Sequence, residues 1–173
     1  MDIALRMRFV GVADVLLAGG AKLGDRQKLL ESAVASGHAE MIRWLLARGA
    51  TIGPTMLHDA ALKGHVESMQ VLLEGGARVD ALNSDGATPL HDAALAGQTA
   101  AAILLLGRGA AIDARDQAHR ATPLFLAASW GRKAMVELLL ERGAGKLIRN
   151  KEGKSPREAA LENSHTEVAD LLR

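Results

Sequence analysis

The stretch Thr88-Pro89-Leu90-His91-Asp92-Ala93-Ala94 returns 34 positions later as Thr122-Pro123-Leu124-Phe125-Leu126-Ala127-Ala128. Thirty-three positions before it stands Thr55-Met56-Leu57-His58-Asp59-Ala60-Ala61, and 33 after Thr122 stands Ser155-Pro156-Arg157-Glu158-Ala159-Ala160. A second phrase keeps the same interval: Leu72-Leu73-Glu74-Gly75-Gly76-Ala77, Leu105-Leu106-Gly107-Arg108-Gly109-Ala110 and Leu139-Leu140-Glu141-Arg142-Gly143-Ala144. A period near 33 residues carrying these phrases marks a stacked array of helical hairpins.

Residues 86–110 give the local reading. Thr88 is suited to cap a helix through its hydroxyl, and Pro89 fits the first helical position, where its missing N–H is harmless. Leu90, Ala93 and Ala94 then share one face. Gly97 stops this helix, since glycine takes a positive φ without a Cβ clash. A second helix follows, with Ile103, Leu105 and Leu106 as its expected apolar stripe, and ends at Gly109. The chain from Ala110 to the next start is long enough for an extended out-and-back finger.

These features resemble the ankyrin repeat family, whose unit is two antiparallel helices followed by a β-turn finger. The resemblance implies an all-α ankyrin-repeat solenoid of stacked antiparallel helix pairs with short β-turn fingers. It covers essentially the whole chain as one domain, with units at about 1–24, 25–53, 54–86, 87–120, 121–153 and 154–173. The upstream units rest on Gly37-His38-Ala39-Glu40 through Gly49-Ala50 and on Val15-Leu16-Leu17-Ala18-Gly19-Gly20-Ala21. Both end units are divergent.

Spacing departs from the pattern at three places. Gly49 to Thr55 is six steps, whereas Gly76 to Thr88 is twelve, so the finger between the second and third units is missing or reduced to a turn at Gly53-Pro54. The connection from Gly20 to Lys28 is short as well. Gly109 to Thr122 is thirteen steps, which places one inserted residue around Gln117-Ala118-His119-Arg120. The N-terminal third is therefore expected to have a blunted edge, and the 112–120 finger an enlarged one.

Composition narrows the chemistry. Aromatics make up only 2% of the 173 residues, so the core must be built from Leu, Ala, Val, Ile and Met. There is no cysteine, hence no disulfide and no thiolate metal site. No apolar run approaches membrane-spanning length and the N-terminus lacks a signal-peptide core, so the chain reads as cytoplasmic or nuclear. The net charge of +1 argues against a nucleic-acid-coating protein. Residues 115–157 nevertheless hold ten Lys/Arg against four Asp/Glu.

No catalytic constellation emerges. His58-Asp59 and His91-Asp92 look like acid/base pairs, but they repeat with the architecture, as structural parts do. The family resemblance implies that such a histidine bonds neighbouring backbone and a Thr hydroxyl. Equivalent residues on adjacent helices stand about 8–10 Å apart, too far to share a zinc, whose nitrogens lie within about 2.1 Å. Gly153-Lys154-Ser155 lacks the first glycine of a phosphate-binding loop, and in Gly143-Ala144-Gly145-Lys146 the lysine is followed by Leu147. The expectation is a non-enzyme without cofactor or metal.

The two tryptophans differ. Trp44 occupies the slot of Val71, Leu104 and Leu138, which suits core packing. Trp130 stands where the sister units hold Lys63, Ala96 and Asn163, a solvent-facing position, and the resemblance sets it on the concave groove beside the finger tips. An exposed Trp is a candidate interaction anchor. Arg115, Gln117, His119 and Arg120 map to one finger, and Arg149 and Lys151 to the next. Stacked fingers would line these charges up beside Trp130. The expected partner is a protein, with an acidic segment suited to the stripe; nucleic acid is disfavoured by the scarcity of stacking aromatics. A monomeric interaction module is the first expectation. A regulator reading an acidic or phosphorylated ligand through residues 115–154, or a structural segment of a larger protein, are the alternatives.

Overall fold

A computed structural model describes residues 11, 14, 15, 18–20 and 24–173. The unit placed at 1–24 therefore lies largely outside the described residues. Among those residues the chain forms five helix pairs. They are α1 (Arg26–Ala35) with α2 (Ala39–Leu46), α3 (Met56–Lys63) with α4 (Val66–Glu74), and α5 (Pro89–Ala96) with α6 (Thr99–Gly107). Then come α7 (Pro123–Ser129) with α8 (Lys133–Glu141), and α9 (Pro156–Glu162) with α10 (Thr166–Leu171). First helices pack on one another in order, α1 through α9, and second helices form a parallel layer in the same order. The product is an all-α solenoid of stacked pairs, and its fingers are turns without a regular strand among the described residues.

The helix starts follow their sequence signals closely. Thr122 Oγ1 accepts the Phe125 N–H at 3.2 Å, and Pro123 opens α7. Ser155 and Glu158 form a reciprocal capping box at α9: the Glu158 N–H reaches Ser155 Oγ, and the Ser155 N–H reaches the Glu158 carboxylate. That carboxylate is held below its ordinary pKa, first by the Ser155 backbone N–H and then by the Ser155 hydroxyl. Thr55, followed by Met56 in place of Pro, makes no such cap bond.

Pairs are joined at glycines. Gly64 and Gly97 end first helices with φ of 70° and 77°. Each is crossed by a side chain from the next pair: Gln98 lies so close over Gly64 that a Cβ would overlap it, and Arg132 over Gly97 would leave a Cβ only a tight contact. Glycine suits both positions for conformation, and Gly64 for close approach as well. The crossing side chains also bond beyond the glycines: Arg132 Nε donates to Leu95 O at 3.0 Å and Gln98 Nε2 to Leu62 O at 3.5 Å. Lys63 Nζ extends the pattern to Ala35 O at 2.8 Å.

Between the two helix layers runs a dry seam of Leu, Met and Ala, including fully buried Leu57, Leu72, Leu90, Leu105, Leu124 and Leu139. Trp44 belongs to this seam at 7% exposure, and its Nε1–H donates to Asp14 Oδ1 at 2.7 Å. Arg48 lies over the Trp44 ring, 4.0 Å from its centroid, and binds Asp14 as well. One expectation about α6 is corrected. Ala101, Ala102 and Leu105 form its buried face, Leu106 is half-buried, and Ile103 points outward at 46% exposure. This helix is apolar almost all round, so its own periodicity could not choose a face. The sister positions Gln70 and Glu137, both exposed, mark the outward side.

Candidate functional site

Three fingers stand side by side at one end of the first helices. The loop from Ala77 to Ala87 is tied internally by Asn83, whose Oδ1 accepts the N–H groups of Asp85 and Ala87. Asn150 does the same in the last finger for Glu152 and Lys154. The middle finger carries Asp116 in that role. It is buried, its Oδ1 accepts the His119 N–H at 2.6 Å, and the inserted residue widens the turn. Backbone bonds join the fingers: Gln117 N–H to Asp85 O at 2.9 Å, and Lys151 N–H to His119 O at 2.8 Å. Two carboxylates reinforce them, Asp80 accepting the Ala111 N–H and Asp113 the Gly145 N–H.

The predicted site residues separate within this frame. Arg115 is a strut, with Nε on Arg120 O and Nη2 on Arg149 O at 2.6 Å. Gln117 lies over Gly86, where a Cβ would overlap it. Arg149 is ion-paired to Glu158 at 2.8 Å. His119 faces the groove described below, and Lys151 is exposed with no ion pair among the described residues. Arg120 is exposed and holds a φ of 53°, where its sister positions are Gly86 and Gly153.

The positive stripe expected from the sequence is neutralised in part: Arg149 meets Glu158, while Arg120 and Lys151 are exposed with no ion pair among the described residues. Lys154 pairs with both Glu152 and Glu162, and Lys133 pairs with Glu167. Those carboxylate bonds hold both ammonium groups above their ordinary pKa. A charge count over residues 115–157 could not see Glu158, Glu162 and Glu167, which lie beyond that window and fold back onto it.

Trp130 is 56% exposed, at the residue that caps α7. Its setting beside the finger tips is corrected, however. Helix α7 starts at the finger base with Pro123, and its seven residues carry the chain away from it. Trp130 therefore stands at the far end of the helix, about 10 Å along the axis.

Between these two ends, on the first-helix face, lies a groove of about 250 Å³ between α7 and α9. Phe125 and Leu126 contribute its apolar side, with Ala159 opposite. His119, Glu152 and Lys154 stand at the finger end; Ser129 and Asn163, joined by a 3.0 Å hydrogen bond, stand at the Trp130 end. Sequence reasoning missed Phe125 and Leu126. The signal was present: Phe-Leu occupies the place of His58-Asp59 and His91-Asp92, so an apolar pair replaces a polar one.

The two histidines are joints. His91 Nδ1 accepts the Thr88 N–H at 3.0 Å and lies 2.8 Å from Thr88 Oγ1. The proton is thus on Nε2, which donates to Ala121 O of the next pair at 3.1 Å. Burial, as the largest influence, pushes its pKa below the ordinary 6.5, against the opposing pull of the Ala121 carbonyl. His58 has no capping Thr partner. It reaches forward instead, with Nδ1 2.6 Å from Asp92 Oδ2 and Nε2 3.0 Å from Ala81 O. Among the described residues no group of three His, Cys, Asp or Glu side chains is arranged to hold a metal ion.

Comparison with family models matches the description "Ankyrin repeats (3 copies)" twice, over residues 30–116 and 104–173. The chain belongs to the ankyrin repeat family. Comparison with curated proteins gives no match. Ankyrin repeats are commonly protein–protein interaction modules and typically non-catalytic. Among the described residues, no helix is long and apolar enough to cross a membrane.

Proposed function

We propose that this ankyrin domain binds a protein partner on its first-helix face, in the groove between α7 and α9. The partner inserts an apolar side chain against Phe125 and Leu126 and extends toward Trp130. The observation that carries this reading is the replacement of His-Asp by Phe-Leu at the one pair that also ends in an exposed tryptophan. Phe125 and Leu126 are half-buried, so part of each side chain is left open to the groove. Aromatic anchors in such settings supply most of the binding energy, while rim polar groups tune orientation and rate. The rim here is mixed, with Arg120 and Lys151 at the fingers and the Lys154–Glu162 pair across the groove.

Affinity capture with the wild-type chain, compared with Phe125→Asp and Trp130→Ala, tests the reading. Trp130 is exposed, so Trp130→Ala should leave the melting midpoint unchanged, and Phe125→Asp, at a half-buried position, is compared at a temperature where it is fully folded. Binding of the captured partner should weaken at least about tenfold in each variant. Retention of a partner by both variants at wild-type strength would refute the assignment.

A further inference from the structure

We propose that the gap left by the missing second finger is a second docking site, which accepts an acidic turn of a partner protein. The fingers of this chain show what such an edge takes. Wherever one finger follows another, the later one offers backbone donors to the earlier at two places. Ala111 N–H meets the Asp80 carboxylate and Gly145 N–H the Asp113 carboxylate. Gln117 and Ala118 N–H meet Asp85 O, and Lys151 N–H meets His119 O.

In the finger from Ala77 to Ala87, the corresponding donors are the N–H groups of Arg78 and Ser84. No finger precedes this one, because the chain passes from Gly49 to Thr55 in a short turn. Among the described residues no acceptor meets either N–H. Beside Arg78 opens a cleft of about 300 Å³, lined by Ile52, Pro54, Leu57, Ala81 and Leu82. Leu82 is 52% exposed there.

Two donors, an arginine and an aliphatic cleft specify the occupant. It is a turn that brings an aspartate or glutamate to the Arg78 N–H and a main-chain carbonyl to the Ser84 N–H. It also lays an aliphatic side chain on Pro54 and Leu82. The acceptors in the existing stack stand five residues apart, Asp80 and Asp85, or six, Asp113 and His119. The occupant has the same spacing. This site lies two junctions before the α7–α9 groove and does not depend on it.

The probe is a cyclised peptide copying residues 77–87, the turn that presents Asp80 and Asp85 to the next finger. It is titrated into the ¹⁵N-labelled full chain. Saturable shifts are expected at the Arg78 and Ser84 amides and at Leu82. An Asp80→Ala peptide should bind about tenfold more weakly, and Leu82→Asp in the protein should abolish the shifts while Phe125→Asp leaves them unchanged. A chain lengthened between Gly49 and Thr55 by its own finger sequence should bind no peptide. Three results would overturn the proposal. They are no shift up to about 1 mM peptide, equal binding of the Asp80→Ala peptide, or the same shifts on raising protein concentration alone. The last would assign the cleft to a second copy of the chain.

Discussion

At His91 a buried imidazole works only in its neutral form, because Nδ1 must accept from Thr88 while Nε2 donates to Ala121. Its folded-state pKa is depressed, so the unfolded chain takes up a proton first. The stabilisation is complete above about pH 6.5 and declines as pH falls below it. His91→Gln should flatten the difference in urea midpoint between pH 7.5 and pH 5, measured against wild type. His91→Ala should cost about 1–2 kcal/mol at pH 7.5 through the lost buried bonds. An unchanged midpoint would contradict the joint assigned to it. Arg120 poses the opposite case. A non-glycine residue is kept at positive φ where both sister fingers have glycine. Arg120→Gly should stabilise the domain by about 1 kcal/mol, readable as a higher melting midpoint. If Arg120 serves the groove rim, the same variant should bind its partner more slowly.

The elements were the most legible part of the sequence. Helix starts at Pro89, Pro123 and Pro156, and stops at Gly64 and Gly97, follow from capping chemistry that needs only neighbours within a few residues. Faces were less legible. The α6 stripe could be resolved only by comparison with Gln70 and Glu137, and the engagement of Arg149 and Lys154 only by folding. Trp130 is exposed, as its sister positions imply, but it stands away from the finger tips, because α7 begins at the finger base and ends at Trp130. The shortened connection after α2 has an energetic consequence at this scale. Among the described residues that junction has no finger-to-finger bonds; Lys63 Nζ on Ala35 O crosses it, beside the packing of α1 on α3 and α2 on α4. In an array whose stability sums neighbouring interfaces, it is the weak link. Amide hydrogen exchange should therefore show α1 and α2 opening before α5 through α8. Uniform protection, or earliest opening at α5, would be inconsistent with this.

Across the described residues, part of the local positive excess is met within the chain. Arg149, Lys154 and Lys133 face carboxylates of the same chain, at 2.8, 2.8 and 3.0 Å. Partner binding should accordingly respond weakly to salt, changing less than about tenfold between 50 and 300 mM. A much steeper dependence would favour an acidic ligand on Arg120 and Lys151 as the principal partner.

The bonds between fingers also have a direction. Donors sit on the later finger and acceptors on the earlier, at Asp80, Asp85, Asp113 and His119, although the His91 and Arg115 bonds run the other way. A ribosome delivers this chain from its N-terminus. Each completed finger thus waits in water as a carboxylate and a carbonyl, which water solvates well, until the next one emerges with the matching N–H groups. The growing edge is kept hydrophilic during synthesis, and the array can assemble in the order in which it is translated.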